Sequence, residues 1–192
     1  VEAVRKLPIS FFHLLSYPKN SILVTSEDRE GRANAMAAAW HTPLSVNPPS
    51  YGVAISPKRA TYKLIVESGR FGINFLPFEL LDSLHTCGRT SFNELGEEKI
   101  RRAGINPIRG EFGAYILQEA YASFECSLED IVKVGDHDLF IGEVRSLYLR
   151  GELRGNIIDV ERVKPILYMG EDHYVTVDSR SLRRGRILQG IH

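Results

Sequence analysis

Residues 34–74 constrain the fold more than any other part of the chain. They open with Asn34-Ala-Met-Ala-Ala-Ala-Trp40 and reach a Pro48-Pro49 pair. They continue through Tyr51-Gly-Val-Ala-Ile55, Ser56-Pro-Lys-Arg-Ala-Thr61 and Phe71-Gly-Ile-Asn-Phe75. Ala35, Ala37, Ala38 and Ala39 leave backbone uncovered beside the indole of Trp40, and a short apolar strand follows the prolines. The turn after that strand carries Lys58, Arg59 and Thr61 and opens a helix. A bare backbone edge beside an indole suits a flat aromatic ring, and a cationic, hydroxylated turn at a helix start suits a phosphate. Ring plus phosphate is a mononucleotide. Taken alone, residues 34–40 read better as a packed strand whose alanines admit a neighbour and whose Trp40 fills the core. The spacing to Thr61 tips the balance. Lys58 and Arg59 also have a plain reading as solvated charges, and Thr61 as a helix cap.

The flanking pattern is that of a mainly β chain. Residues 21–26 form a β-branched run that turns at Glu27-Asp28-Arg29-Glu30-Gly31 and restarts near Ala33, a hairpin. A helix is expected over 60–68 with Leu64 and Ile65 inward, stopped by Gly69, and a strand over 71–75. Two helices follow: 79–86, ending before Gly88, and one opened by the capping box at Ser91-Phe-Asn-Glu94 and ending at Ala103. Ala122, Phe124, Cys126 and Leu128 alternate with Ser123, Glu125, Ser127 and Glu129, so Cys126 reads as a core residue. A turn at Gly135-Asp-His-Asp138 leads into a strand over 139–149, and 166–169 with 174–177 forms a closing hairpin. Strands interrupted by paired helices, without βαβ alternation, argue for a barrel rather than a doubly wound sheet.

Composition narrows the function classes. A chain of 192 residues, 43% hydrophobic and 25% charged, is read as one globular domain with a core over about 20–177 and a tail over 178–192. Lys plus Arg and Asp plus Glu are both 24, so there is no basic excess for nucleic acid beyond the short run 180–186. Cys87 and Cys126 make neither a C-x-x-C nor a secreted scaffold. No apolar run approaches a membrane span, and the start lacks a signal-peptide core, so a cytoplasmic location is expected.

Two further clusters carry chemistry. Arg89, Thr90 and Ser91 precede a capped helix and, with Lys99, offer more anion contacts; a capping Ser91 and a surface Lys99 fit as well. His137 stands between two acids. Metal-ligand spacing is absent, so no metal is expected, and a polar turn is the plain alternative. There is neither a G-x-G-x-x-G nor a Walker A motif, so a nicotinamide donor would bind transiently over another group.

From about Ser21 to Tyr174, and most strongly over 34–74, this order of parts resembles the flavin reductase-like family of FMN-binding split barrels, which includes flavoredoxins. The resemblance implies a split β-barrel with peripheral helices, FMN as cofactor, a homodimer, and NADH or NADPH as transient donor. The acceptor would be small: free flavin, ferric iron or a redox protein. It places Asn34, Trp40 and Thr61 at the flavin, with backbone of Ala35, Met36, Ala37 and Ala38 on the ring's polar edge. Ser56, Lys58, Arg59, Asn74, Arg89, Ser91, Lys99 and Tyr168 complete the cofactor set, and His137, in a G-D-H turn, is the catalytic candidate. Hydroxyl side chains common in the family are Ala37 and Ala39 here, which shifts hydrogen bonding to backbone. An FMN-holding electron carrier without nicotinamide activity, and a flavin-free interaction barrel, are the alternatives.

Overall fold

The structure, a computed structural model, describes residues 4–185. The expectations for the chain start at residues 1–3 and for the end of the basic run at residue 186 lie outside that span. Its strands and α-helices follow in order: β1 (Lys19–Asn20), β2 (Ile22–Glu27), β3 (Ala33–Ala38), β4 (His41–Val46), β5 (Pro49–Ile55), α1 (Ala60–Ser68), β6 (Arg70–Phe75), α2 (Leu81–Arg89), α3 (Phe92–Leu95), α4 (Glu98–Ala103), β7 (Pro107–Arg109), β8 (Tyr115–Leu117), β9 (Ala122–Lys133), β10 (Asp138–Leu149), β11 (Leu153–Arg154), β12 (Ile157–Ile158), β13 (Leu167–Gly170) and β14 (His173–Val175).

Seven strands form one antiparallel sheet in the order β3-β2-β6-β9-β10-β5-β4. Its two edge strands, β3 and β4, are joined by Ala39 and Trp40 alone. Three Cα steps reach at most about 11 Å, whereas seven flat strands would span roughly 29 Å. The sheet must therefore curl until its edges meet. They meet without pairing: the Trp40 carbonyl accepts a bond from the Ala54 amide at 2.9 Å, which extends the β4–β5 ladder into the link, and the seam between β3 and β4 stays open. This is a split barrel: the strand pattern argued for a barrel, and the resemblance implied a split one.

The core has two compartments. Inside the barrel, Ile22, Val24, Val53, Ile55, Phe71, Ile73, Cys126 and Phe140 are buried together with Ile65 of α1. Outside β2 and β3, Leu23, Ala35, Leu84, Cys87, Ala103 and Ile105 pack the strands against α2 and α4. Strand β2 is thus buried on both faces. The hairpin β13–β14 forms a separate small sheet with β1 rather than closing the barrel.

Three local expectations are corrected. Helix α2 runs through Gly88 to Arg89 instead of stopping short. A Cβ on Gly88 would lie 3.2 Å from the Ala37 Cβ, so glycine there serves close packing on β3 rather than termination. The second predicted helix breaks at Gly96, in a positive-φ conformation, giving α3 and α4. Ser123 and Glu125 are buried rather than on a solvated face. The β7–β8 hairpin covers that side, and the Glu125 carboxylate accepts bonds from the Phe112 and Ala114 amides and the Tyr148 hydroxyl.

Candidate functional site

The open seam is lined from both sides. Strand β3 and its exit contribute Met36, Ala37, Ala38, Ala39 and Trp40. Strand β5 and the next turn contribute Ala54, Ile55, Ser56 and Arg59. His137 and Tyr168 complete a cavity of about 180 Å³ with Tyr17. As a sheet edge, β3 has backbone groups on one side that no strand pairs with. The Trp40 indole donates to the Tyr17 hydroxyl at 3.0 Å, and its ring centre lies 4.9 Å from that of His137. Tyr168 sits between Tyr17 and Tyr174, each 5.2 Å away. A slot with one polar backbone edge and aromatic ends fits a flat heteroaromatic ring.

A second cavity, about 290 Å³, adjoins the first through Met36 and Arg59. Lys58, Arg59, Ala60 and Thr61 enter it from the start of α1. Arg89, Thr90 and Ser91 enter from the end of α2, and Lys99 from α4. Helix α1 has no side chain capping its first amides, so they remain available to an anion. Lys99 is the unusual member. It is 3% exposed, and among the described residues its Nζ has one long hydrogen-bond contact, 3.4 Å to the Asn34 Oδ1. Burial, and to a smaller degree Arg59, holds its ammonium below the ordinary lysine range. A buried ammonium without a carboxylate is costly. A phosphate in this cavity would supply the missing charge.

Three of the sequence candidates are not in the cavity walls. Asn34 is fully buried: its amide donates to the Ser26 Oγ and Thr61 Oγ1, and its carbonyl faces Lys99. Its side chain is engaged with Thr61 and Lys99, which it positions. The Ala35 side chain points into the helix-side core, the consequence of strand alternation on β3. Asn74 lies across the barrel wall. Its amide donates to the Leu23 carbonyl and the Thr25 Oγ1, and its own carbonyl accepts from the Leu117 amide and the Ser123 hydroxyl. No capacity remains for a cofactor, and its work is to dock the β7–β8 hairpin. Ser91 lines the second cavity but also caps α3, accepting from the Asn93 amide at 3.2 Å. The remaining candidates, from Met36 to Tyr168, meet at the two cavities. His137 is oriented by Asp136, whose Oδ1 lies 3.0 Å from its Nδ1.

Sequence reasoning missed a third cavity of about 210 Å³, on the far side of Tyr168. His85, Gly88, Arg89, Asp172 and Tyr174 line it with Ala37, Ala38 and Ala39. The Tyr174 hydroxyl lies 3.1 Å from the His85 Nδ1. No motif marks His85, Asp172 or Tyr174, because α2 and the β13–β14 hairpin are nearly ninety positions apart. Tyr17 was missed for the same reason.

The model of the flavin reductase-like domain matches residues 14–178. The chain belongs to the flavin reductase-like family. An uncharacterized protein of Aeropyrum pernix is 40% identical over 168 residues, covering 87% of this chain and 63% of that relative, so the match spans just under two thirds of the relative's length. A flavin reductase of Pseudomonas putida is 31% identical over 138 residues, covering 71% of this chain and 76% of its own. Among solved structures, an FMN-binding protein from Thermus thermophilus with bound p-hydroxybenzaldehyde superposes with a TM-score of 0.77 at 30% identity, covering 96% and 99% of the two chains. Flavoredoxin from Methanosarcina acetivorans shares the fold, with a TM-score of 0.82 at 24% identity over 98% and 97%.

Proposed function

We propose that this chain is an FMN-dependent oxidoreductase that takes electrons from NADH or NADPH and passes them to a small acceptor. The observation that carries the reading is Lys99, a buried ammonium with no carboxylate partner among the described residues, at the back of a cationic cavity that opens onto an aromatic slot. The residues fit the group. Lys58, Lys99, Thr61 and the first amides of α1 would hold the phosphate, with Arg59 at the junction of the two cavities. The edge of β3 would meet the polar side of the ring, and Trp40 and Tyr168 would bound it. When bound, FMN supplies the hydride and electron chemistry. His137, at the rim beside Trp40, is placed to orient the donor or carry a proton at its ring nitrogens. Family membership and the FMN-binding neighbour from Thermus thermophilus support the same reading.

The test is an absorbance spectrum of the purified protein reconstituted with FMN, before and after anaerobic addition of each nicotinamide. Bound flavin that bleaches with one of them is expected. Bound flavin that neither reduces would make the protein an electron carrier, and failure to bind flavin would remove the reading. A homodimer is part of the proposal. Leu147, Leu149 and Leu153, about half or more exposed, line with Ile158 a cavity floored by Phe75, Tyr121 and Phe124. Light scattering that finds only monomer at micromolar concentration would refute that part.

A further inference from the structure

We propose that Asp172 competes with the flavin phosphate for Arg89, so that this carboxylate sets how readily FMN leaves. The inference rests on the flavin reading above and adds a residue that no sequence pattern marked. Arg89 closes α2 and lines both the Lys99 cavity and the third cavity. Its Nη2 donates to the Asp172 Oδ1, tying the end of α2 to the tip of the β13–β14 hairpin. The pairing raises the Arg89 pKa and lowers that of Asp172.

Three observations make this pair an exchangeable one. Its side chains are 59% and 44% exposed, and ion pairs that exposed are weak. Of the four cations at the Lys99 cavity, Arg89 is the one with an ion-pair partner among the described residues; Glu94, also in the wall, makes no ion pair with any of them. A phosphate carries nearly two charges and accepts a guanidinium in bidentate fashion, which an exposed single carboxylate oxygen does not match. The hairpin tip holds the competitor in place, because Glu171 and Asp172 both adopt left-handed backbone, with φ of 48° and 62°. In the absence of a phosphate, Asp172 holds Arg89. With one present, the guanidinium turns into the Lys99 cavity, and the affinity for FMN is reduced by whatever it costs to leave Asp172. Riboflavin, without a phosphate, is indifferent to the exchange.

The experiment is a double-mutant cycle on the full chain: wild type, Asp172→Asn, Arg89→Ala and the double variant, each titrated with FMN and with riboflavin by flavin fluorescence. Asparagine is well tolerated in left-handed backbone, so Asp172→Asn removes the charge and keeps the turn. Asp172→Gly serves as a second variant on the same argument. Asp172→Asn is expected to tighten FMN about two- to fivefold with riboflavin unchanged, and to change nothing once Arg89 is alanine. A gain that persists in the Arg89→Ala background would make Asp172 only a nearby negative charge and overturn the exchange, as would an unchanged or weakened FMN affinity in both Asp172 variants. A wild type that binds neither flavin would remove the underlying reading together with this inference. A wild type that prefers FMN while Asp172→Asn does nothing removes the inference alone.

Discussion

Replacing Lys99 by methionine should flatten the alkaline stability profile of the flavin-free protein and make its hold on FMN much weaker. Methionine keeps the length and apolar body of the side chain, so the cavity is not re-formed. The Nζ contact to the Asn34 Oδ1 is long, at 3.4 Å, but it is that buried oxygen's hydrogen bond among the described residues, so its loss offsets part of what is gained by removing the charge. What disappears is an ammonium that is 3% exposed. Its folded pKa is below the ordinary value of 10.5 because burial penalises the charge. The unfolded chain therefore binds this proton more tightly, and wild-type stability should rise with pH as the solution passes from the folded pKa up toward 10.5. Below that window the charge is a constant cost. Removing it should flatten the alkaline slope, while the gain below the window is set against the unpaired Asn34 oxygen. A charge-assisted bond to phosphate contributes about 1.5–3 kcal/mol, so FMN affinity should fall roughly 10- to 150-fold. Riboflavin affinity should hold within about twofold. The assay is a thermal melt of apoprotein across pH together with parallel FMN and riboflavin titrations. Equal losses for the two flavins would refute the assignment of Lys99 to the phosphate, and an alkaline slope the substitution leaves unchanged would refute its burial as a charge.

Trp40→Ala should weaken FMN and riboflavin alike, because the indole bounds the ring and not the phosphate; a selective loss of FMN in the same titrations would contradict that division. Asn74→Leu strands the Leu117 amide and the Ser123 hydroxyl and should cost about 2–4 kcal/mol in urea unfolding, with the ratio of FMN to riboflavin affinity unchanged. His41 is half-buried between the Tyr51 hydroxyl, 2.7 Å from Nδ1, and the Asn20 carbonyl, 2.8 Å from Nε2, and loss of solvation holds its pKa below 6.5. The unfolded chain gains a proton there first, so stability should fall as pH drops below 6.5 toward the folded pKa. His41→Gln should shrink that acid-side slope, and an identical slope in denaturant titrations at several pH values would contradict it.

Much of the fold was legible because local rules and tertiary packing agree. Gly69 and Gly104, both left-handed, end α1 and α4 where the sequence placed the stops. Gly88 misled, because a glycine that admits a neighbouring strand looks the same in sequence as one that ends a helix. Glu125 and Ser123 misled for a related reason: period-two alternation assigns faces, but it does not say that a distant hairpin covers the polar one. At the site, the alanines of β3 satisfy both readings at once. Ala35 packs toward α2, while Ala37 and Ala38 face the cavities. Asn34 belongs to the right neighbourhood but makes a different contact from the one expected, since its side chain serves Thr61 and Lys99. The Arg89–Asp172 pair was invisible because it joins residues 83 positions apart.

The most direct test of the account is a crystal structure of the protein grown with FMN. The account predicts the phosphate within hydrogen-bond distance of the Lys99 Nζ and the Thr61 Oγ1, with the ring along the β3 edge between Trp40 and Tyr168. A phosphate bound away from Lys99, or a ring lying outside the seam between β3 and β5, would contradict it.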